Sequence, residues 1–259
     1  MRHALNSADP ARTGDDRGVA ISVQGVVTVL LPGTGSDDDY LTRALAAPLA
    51  RAGAVVVSVA PEPERLVDGY LDALDRALNQ TRQRLGDSGR IAVGGVSLGA
   101  ALATRWALAH PQHTAAVLAV LPPWTGSPDG APAAVSARHT AATLRRDGLD
   151  ATTAAMRSSS PRWLADELAR SWGRQWPALP DAMEEAAAYV GPSAGDLRRL
   201  DVPLAVISAS DDAIHPASVA AEWAALAPRA ALRTVRLAEF GPHPALLGQA
   251  CVDALQAID

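Results

Sequence analysis

The chain has 259 residues, of which 48% are apolar, enough for one large domain or two small ones with a sizeable core. Its net charge of −5 comes without a basic stripe, which argues against nucleic acid or an anionic membrane as the main partner. All 23 basic positions are arginine, which excludes a phosphate-loop lysine, a Schiff-base lysine and lysine-attached biotin or pyridoxal; the single cysteine, Cys251, allows neither an internal disulfide nor a cysteine metal site.

Residues 1–18 are polar and lack the apolar stretch of a secretory signal, so they are expected to form a flexible tail on a cytoplasmic protein. No apolar run is long enough to span a bilayer. Val19–Val23 suggests a first strand, and Val26–Leu31 reads as a buried one ending at Pro32-Gly33-Thr34-Gly35. A helix is expected from Asp37 to Ala52, capped by Ser36, with Asp37, Asp38 and Asp39 suiting its positive first turn better than a metal site. Val55–Val59 is the next strand, and Glu64–Leu85 has apolar residues at helical spacing.

Ile91–Val93 leads into Gly94-Gly95-Val96-Ser97-Leu98-Gly99 and a helix from Ala100 to His110. Strands follow at Ala115–Leu121, Leu204–Ser208 and Leu232–Leu237, with helices at Ala217–Leu226 and Ala245–Ala257. Strands that are near-continuous apolar runs, alternating with helices, predict an α/β fold with a doubly wound, mostly parallel sheet. Residues 123–196 break the rhythm: they hold no convincing strand and read as a helical cap inserted into a core of residues 19–122 and 197–259. The cap carries Trp124, Trp163, Trp172 and Trp176, which either build its small core or line an apolar pocket for an acyl or aromatic group.

Gly95-Val96-Ser97-Leu98-Gly99 fits G-x-S-x-G between a strand and a helix, the context in which a tight turn lifts a serine hydroxyl above a sheet. The rival, a dinucleotide-binding G-x-G-x-x-G, fails because Val96 fills the middle glycine position. A serine nucleophile needs a base. His3 is in the tail, His110 and His113 end a helix and His139 is in the insertion, which leaves His215 and His243. The loop Phe240-Gly241-Pro242-His243-Pro244 follows the last core strand and selects His243. The acid that orients the base comes from Asp211 or Asp212, the other being free to cap a helix near Pro216.

On Leu31-Pro32-Gly33-Thr34-Gly35, Gly95-Val96-Ser97-Leu98-Gly99, Asp212-Ala213-Ile214-His215-Pro216 and Gly241-Pro242-His243, the sequence resembles the α/β-hydrolase superfamily from about Val19 onward. The resemblance implies the order serine, acid, histidine and an acid in D-x-x-x-P, which favours Asp212. It implies an oxyanion hole from the backbone N–H groups of Leu98 and Thr34. Pro32 stands where the family usually has a histidine that braces the oxyanion loop. The expected activity is hydrolysis of a carboxylic ester or thioester through an acyl-enzyme, without metal or organic cofactor, on a small-molecule acyl substrate. The same triad also serves C–C or amide hydrolysis and cofactor-free peroxidation, and the scaffold alone would serve a non-catalytic binding protein.

Overall fold

Six parallel strands form one sheet in the order β2-β1-β3-β4-β5-β6: β1 (Val27–Leu31), β2 (Val55–Ser58), β3 (Ile91–Val96), β4 (Thr114–Val120), β5 (Leu204–Ala209) and β6 (Ala230–Val235). The computed structural model describes residues 21–258, so the expected tail over residues 1–18 and the beginning of the Val19–Val23 strand lie outside the described residues. Residues 21–23 are not in a strand. Among the described residues no helix is long and apolar enough to cross a membrane.

The four central strands are buried at nearly every position because both faces are covered, and apart from Thr28, Thr114 and Ser208 their residues are apolar or glycine. Val29, Leu31, Val93, Val117 and Val206 pack on one side with α3 (Leu66–Leu85), α4 (Leu98–Ala109) and α9 (Ala217–Leu226). Leu30, Ala92, Leu118 and Ile207 pack on the other with α2 (Ala47–Arg51) and α11 (Ala245–Leu255). The edge strand β2 departs from this pattern: its Val55 and Val57 are exposed. The expected single helix after β1 is three joined pieces, α1 (Asp38–Leu41), a π-helical turn at Thr42–Ala46, and α2. Its cap is Asp37 and not Ser36: Asp37 has the extended backbone of a cap, and its carboxylate accepts from the N–H of Tyr40 at 3.0 Å.

The regular elements between β4 and β5 are all helices: α5 (Pro132–Ser159), α6 (Arg162–Gln175), α7 (Leu179–Ala188) and α8 (Ala194–Arg198). Gly148, with φ 80°, breaks α5 in two. Ala141 and Leu144 of α5, Trp172 of α6, and Leu179 and Met183 of α7 share a small apolar core. These helices reach the carboxyl ends of the strands, where Trp172 and Met183 touch Gly35 beyond β1. Strand order reverses between β1 and β3, and the loops beyond that crevice are where α/β sheets place their sites.

Candidate active site

Ser97 joins β3 to α4 with φ 55° and ψ −115°, a backbone state costly for a residue with a side chain. Its surroundings hold that state in place. The Ser97 N–H donates to the carbonyl of Val120 at 2.9 Å, and its own carbonyl accepts from Ala100 and Ala101 to start the helix. The two glycines of the motif are demanded by close backbone approach. A Cβ on Gly95 would stand 2.2 Å from the Leu31 carbonyl oxygen, and one on Gly99 would stand 2.1 Å from the same atom. The end of β1 is thereby pressed against the turn that carries Ser97.

Beyond β5, two strands along from β3, the chain turns at Asp211-Asp212-Ala213-Ile214-His215. Asp212 Oδ1 accepts from the N–H groups of Ile214 at 2.8 Å and His215 at 3.2 Å, which folds the loop back on itself. Asp212 Oδ2 then lies 2.8 Å from His215 Nδ1, and His215 Nε2 lies 3.0 Å from Ser97 Oγ. Burial works against the charge of Asp212, but the hydrogen bonds and charge of His215 and the two loop N–H groups outweigh it. The carboxyl is held below its ordinary range. A hydroxyl, an imidazole and a carboxylate are therefore in line, with Ser97 only 8% exposed.

The expectation that His243 would be the imidazole at Ser97 is corrected by these distances. His243 is exposed, and its carbonyl accepts from Leu246 at the start of α11. Its ring has no hydrogen bond to Ser97 or Asp212. The physical reason is reach from the acid loop: a residue three positions after Asp212 is already turned toward that carboxylate. The signal was present as Asp212-Ala213-Ile214-His215, an acid followed at turn spacing by a histidine. Asp211 faces elsewhere. Its carboxylate accepts from the N–H of Leu237 at 2.5 Å and of Ala238 at 3.2 Å, capping α10 (Leu237–Phe240) and not a helix near Pro216. The Leu237 hydrogen bond in particular holds Asp211 below the ordinary carboxylate range.

Leu98 opens α4, so its N–H lies in the first turn, where intrahelical acceptors are absent. Thr34 lies in a tight turn closed by the Ser36 N–H donating to the Gly33 carbonyl at 3.0 Å, with Gly35 at φ 72°. Gly33 packs against Ser97: a Cβ there would stand 3.4 Å from the serine Cβ. Among the described residues neither the Thr34 nor the Leu98 N–H has a protein acceptor.

The four tryptophans are not gathered into one pocket. Trp172 is buried, with its indole nitrogen against Gly35 and without an acceptor among the described residues. Trp163 packs edge-on to Phe240 and against Gly241. Trp124 donates to the Tyr189 carbonyl and borders an open groove of about 580 Å³ with Thr125, Ser193 and Glu222, a groove that does not include Ser97. Trp176 is 39% exposed. Of the four, Trp172 is the one that touches the loop beside Ser97.

A model of the alpha/beta hydrolase family matches residues 15–248 of the sequence. A search of curated proteins finds none that matches. Among solved structures, MGS-M2, an alpha/beta hydrolase enzyme from a Medee basin deep-sea metagenome library, is 13% identical. It superposes with a TM-score of 0.66 over 92% of this chain and 91% of its own. A thermophilic esterase from Thermogutta terrifontis is 20% identical, with a TM-score of 0.60 over 90% of each chain. The enol-lactonase from Burkholderia xenovorans LB400 is 18% identical, with a TM-score of 0.57 over 86% of this chain and 85% of that one. At such identities the likeness is one of fold.

Proposed function

The chain belongs to the alpha/beta hydrolase family, and on that footing we propose that it is a serine hydrolase cleaving a carboxylic ester or thioester, with Ser97 as nucleophile, His215 as base and Asp212 as the acid. The observation that carries the reading is the continuous contact from Asp212 through His215 to Ser97. In this mechanism His215 Nε2 takes the serine proton as Oγ attacks the carbonyl carbon. Asp212, held ionised, fixes the ring with Nδ1–H toward itself and stabilises the imidazolium. The backbone N–H groups of Leu98 and Thr34 receive the oxyanion, each such donor being worth about 10²–10³ in turnover. The imidazolium then protonates the leaving group, the acyl group stays on Ser97, and water activated by His215 releases it. The reaction calls on no group outside the chain and water.

Trp172, beside the Thr34 turn, is the tryptophan best placed to meet the acyl group, and the helices α5–α7 act as the cap over it. The test is covalent labelling by a fluorophosphonate read by intact mass, together with turnover of p-nitrophenyl esters of increasing chain length. Wild type should take up one phosphonate and Ser97→Ala none. A protein that stays unlabelled and inert while known serine hydrolases react would overturn the reading.

A further inference from the structure

We propose that helix α6 is the brace of the oxyanion turn, with Arg170 and Gln175 as positioning residues for the Thr34 N–H. The inference rests on the serine-hydrolase reading above and asks what holds its second oxyanion donor. Pro32, at the start of the loop, offers neither a side-chain hydrogen bond nor a backbone N–H to hold it. Its near end is fixed by the packing of Gly33 on Ser97. Its far end is held from α6. Gln175 Nε2 donates to the Ser36 carbonyl at 3.0 Å, and its side chain is fixed in turn by Ser171 Oγ at 2.7 Å. The next residue, Asp37, is 2% exposed, and its carboxylate receives both terminal nitrogens of Arg170, at 2.6 and 3.2 Å. Arg174 approaches the same carboxylate at 3.5 Å.

A bidentate arginine on a buried carboxylate fixes direction as well as distance. Between these anchors Trp172 of the same helix closes on Gly35: a Cβ there would stand 2.9 Å from the indole nitrogen. Thr34 is half-exposed in a loop otherwise buried on both sides of it, from Leu31 to Gly33 and at Gly35. Helix α6 thus grips three consecutive residues, Gly35, Ser36 and Asp37, directly beyond the donor. Displacing a donor by a fraction of an ångström weakens it in the transition state more than in substrate binding.

The experiment compares Gln175→Leu, Arg170→Met and Arg170→Lys with wild type, on p-nitrophenyl acetate and octanoate and in the rate of fluorophosphonate inactivation. In Gln175→Leu and Arg170→Met, kcat and the inactivation rate constant should fall about tenfold, less than for outright loss of a donor. KM should stay within about threefold, and the loss should be equal for both acyl lengths, because the oxyanion is common to both. Arg170→Lys should recover part of the loss. Arg170→Met leaves the buried Asp37 carboxylate with only the longer ion pair to Arg174 and is the variant at risk of misfolding; Gln175→Leu removes only a neutral donor and tests the brace alone. Wild-type kcat in Gln175→Leu, or a loss found in KM or in only one acyl length, overturns the brace. Retained labelling in Ser97→Ala would instead overturn the parent reading.

Discussion

His215 Nε2 and Ser97 Oγ are 118 residues apart in the chain and 3.0 Å apart in the fold. The imidazole reaches the serine from the loop beyond β5, which also carries Asp212, so imidazole and carboxylate are set against each other within one loop. His215→Ala should therefore lower kcat by about 10⁴ or more and abolish phosphonate labelling. His243→Ala, at an exposed position, should stay within about threefold of wild type. Steady-state turnover of a p-nitrophenyl ester separates the two, and the reverse pattern would return the base to the loop before α11.

The neighbouring aspartates should separate just as cleanly. On the proposed mechanism Asp212→Asn removes the charge that stabilises the imidazolium and lets the ring turn over, which should cost about 10³–10⁴ in kcat. Asp211→Asn weakens the cap of α10, seen in the hydrogen bonds to Leu237 and Ala238. Its effect should be a lower melting temperature with kcat nearly unchanged. Circular dichroism melts beside kinetics decide the matter. A kinetic defect in Asp211→Asn with intact Asp212→Asn would exchange the two assignments.

Much of the core was legible because its physics is local. Val26 to Leu31 and Leu204 to Ser208 are nearly apolar runs of the kind a doubly covered sheet buries, and strands are found there at Val27–Leu31 and Leu204–Ala209. The expected Ala217–Leu226 helix has those same bounds in the fold. Ser97 stood out because Gly95 and Gly99 flank it between a strand and a helix. The histidine was not legible by loop position. What turns His215 toward Asp212 is a pair of backbone hydrogen bonds to one carboxylate oxygen, a feature of the three residues after the acid and not of any strand. The tryptophans were harder still. Trp124 and Trp163 serve separate apolar contacts, and composition carries no information on which helix faces the site.

Five aspartates are held low and make stability fall on the acid side: Asp87 and Asp147 chiefly by hydrogen bonds from Arg82 and Arg146, and Asp196, Asp211 and Asp212 by hydrogen bonds within their own loops and caps. The backbone N–H of Ser193, helped by its hydroxyl, holds Asp196 low, and Leu237 does the same for Asp211. In Asp212 the hydrogen bonds from His215 and the loop overcome the opposing effect of burial. Each folded value lies below the unfolded one, so the unfolded chain binds protons first as pH drops. The stabilisation is complete above about pH 4–5, the range of unperturbed carboxylates, and is lost as pH falls through the folded values. Calorimetric melts should be level from neutrality to that range and then decline. Asp196→Asn should decline less steeply. An unchanged acid slope would mean that the capping box at Ser193 contributes nothing to the folded state.

The elbow should tolerate no side chain at its glycines. Alanine at Gly95 or Gly99 would place a methyl group 2.2 or 2.1 Å from the Leu31 carbonyl, so β1 and the Ser97 turn must separate. Overpacking against backbone has no flexible side chain to absorb it, and a cost of about 3 kcal/mol or more is expected for each. Urea unfolding measures this directly. A wild-type midpoint in either variant would show that β1 is not pressed on the turn.

Cys251 offers a check on the opposite face of the sheet. It lies on α11 at 0% exposure, packed in the cluster with Leu45, Leu247 and Ile207. Burial pushes its thiol up to about 12, so at neutral pH the reactive thiolate is scarce as well as inaccessible. An aromatic disulfide reagent should therefore leave the native protein unmodified at pH 7–8 and titrate one thiol once the chain is unfolded in urea. Because the reagent must wait for α11 to leave the sheet, its rate in the native state reports the opening of that helix. Prompt modification of the folded protein would show that α11 is not docked as described.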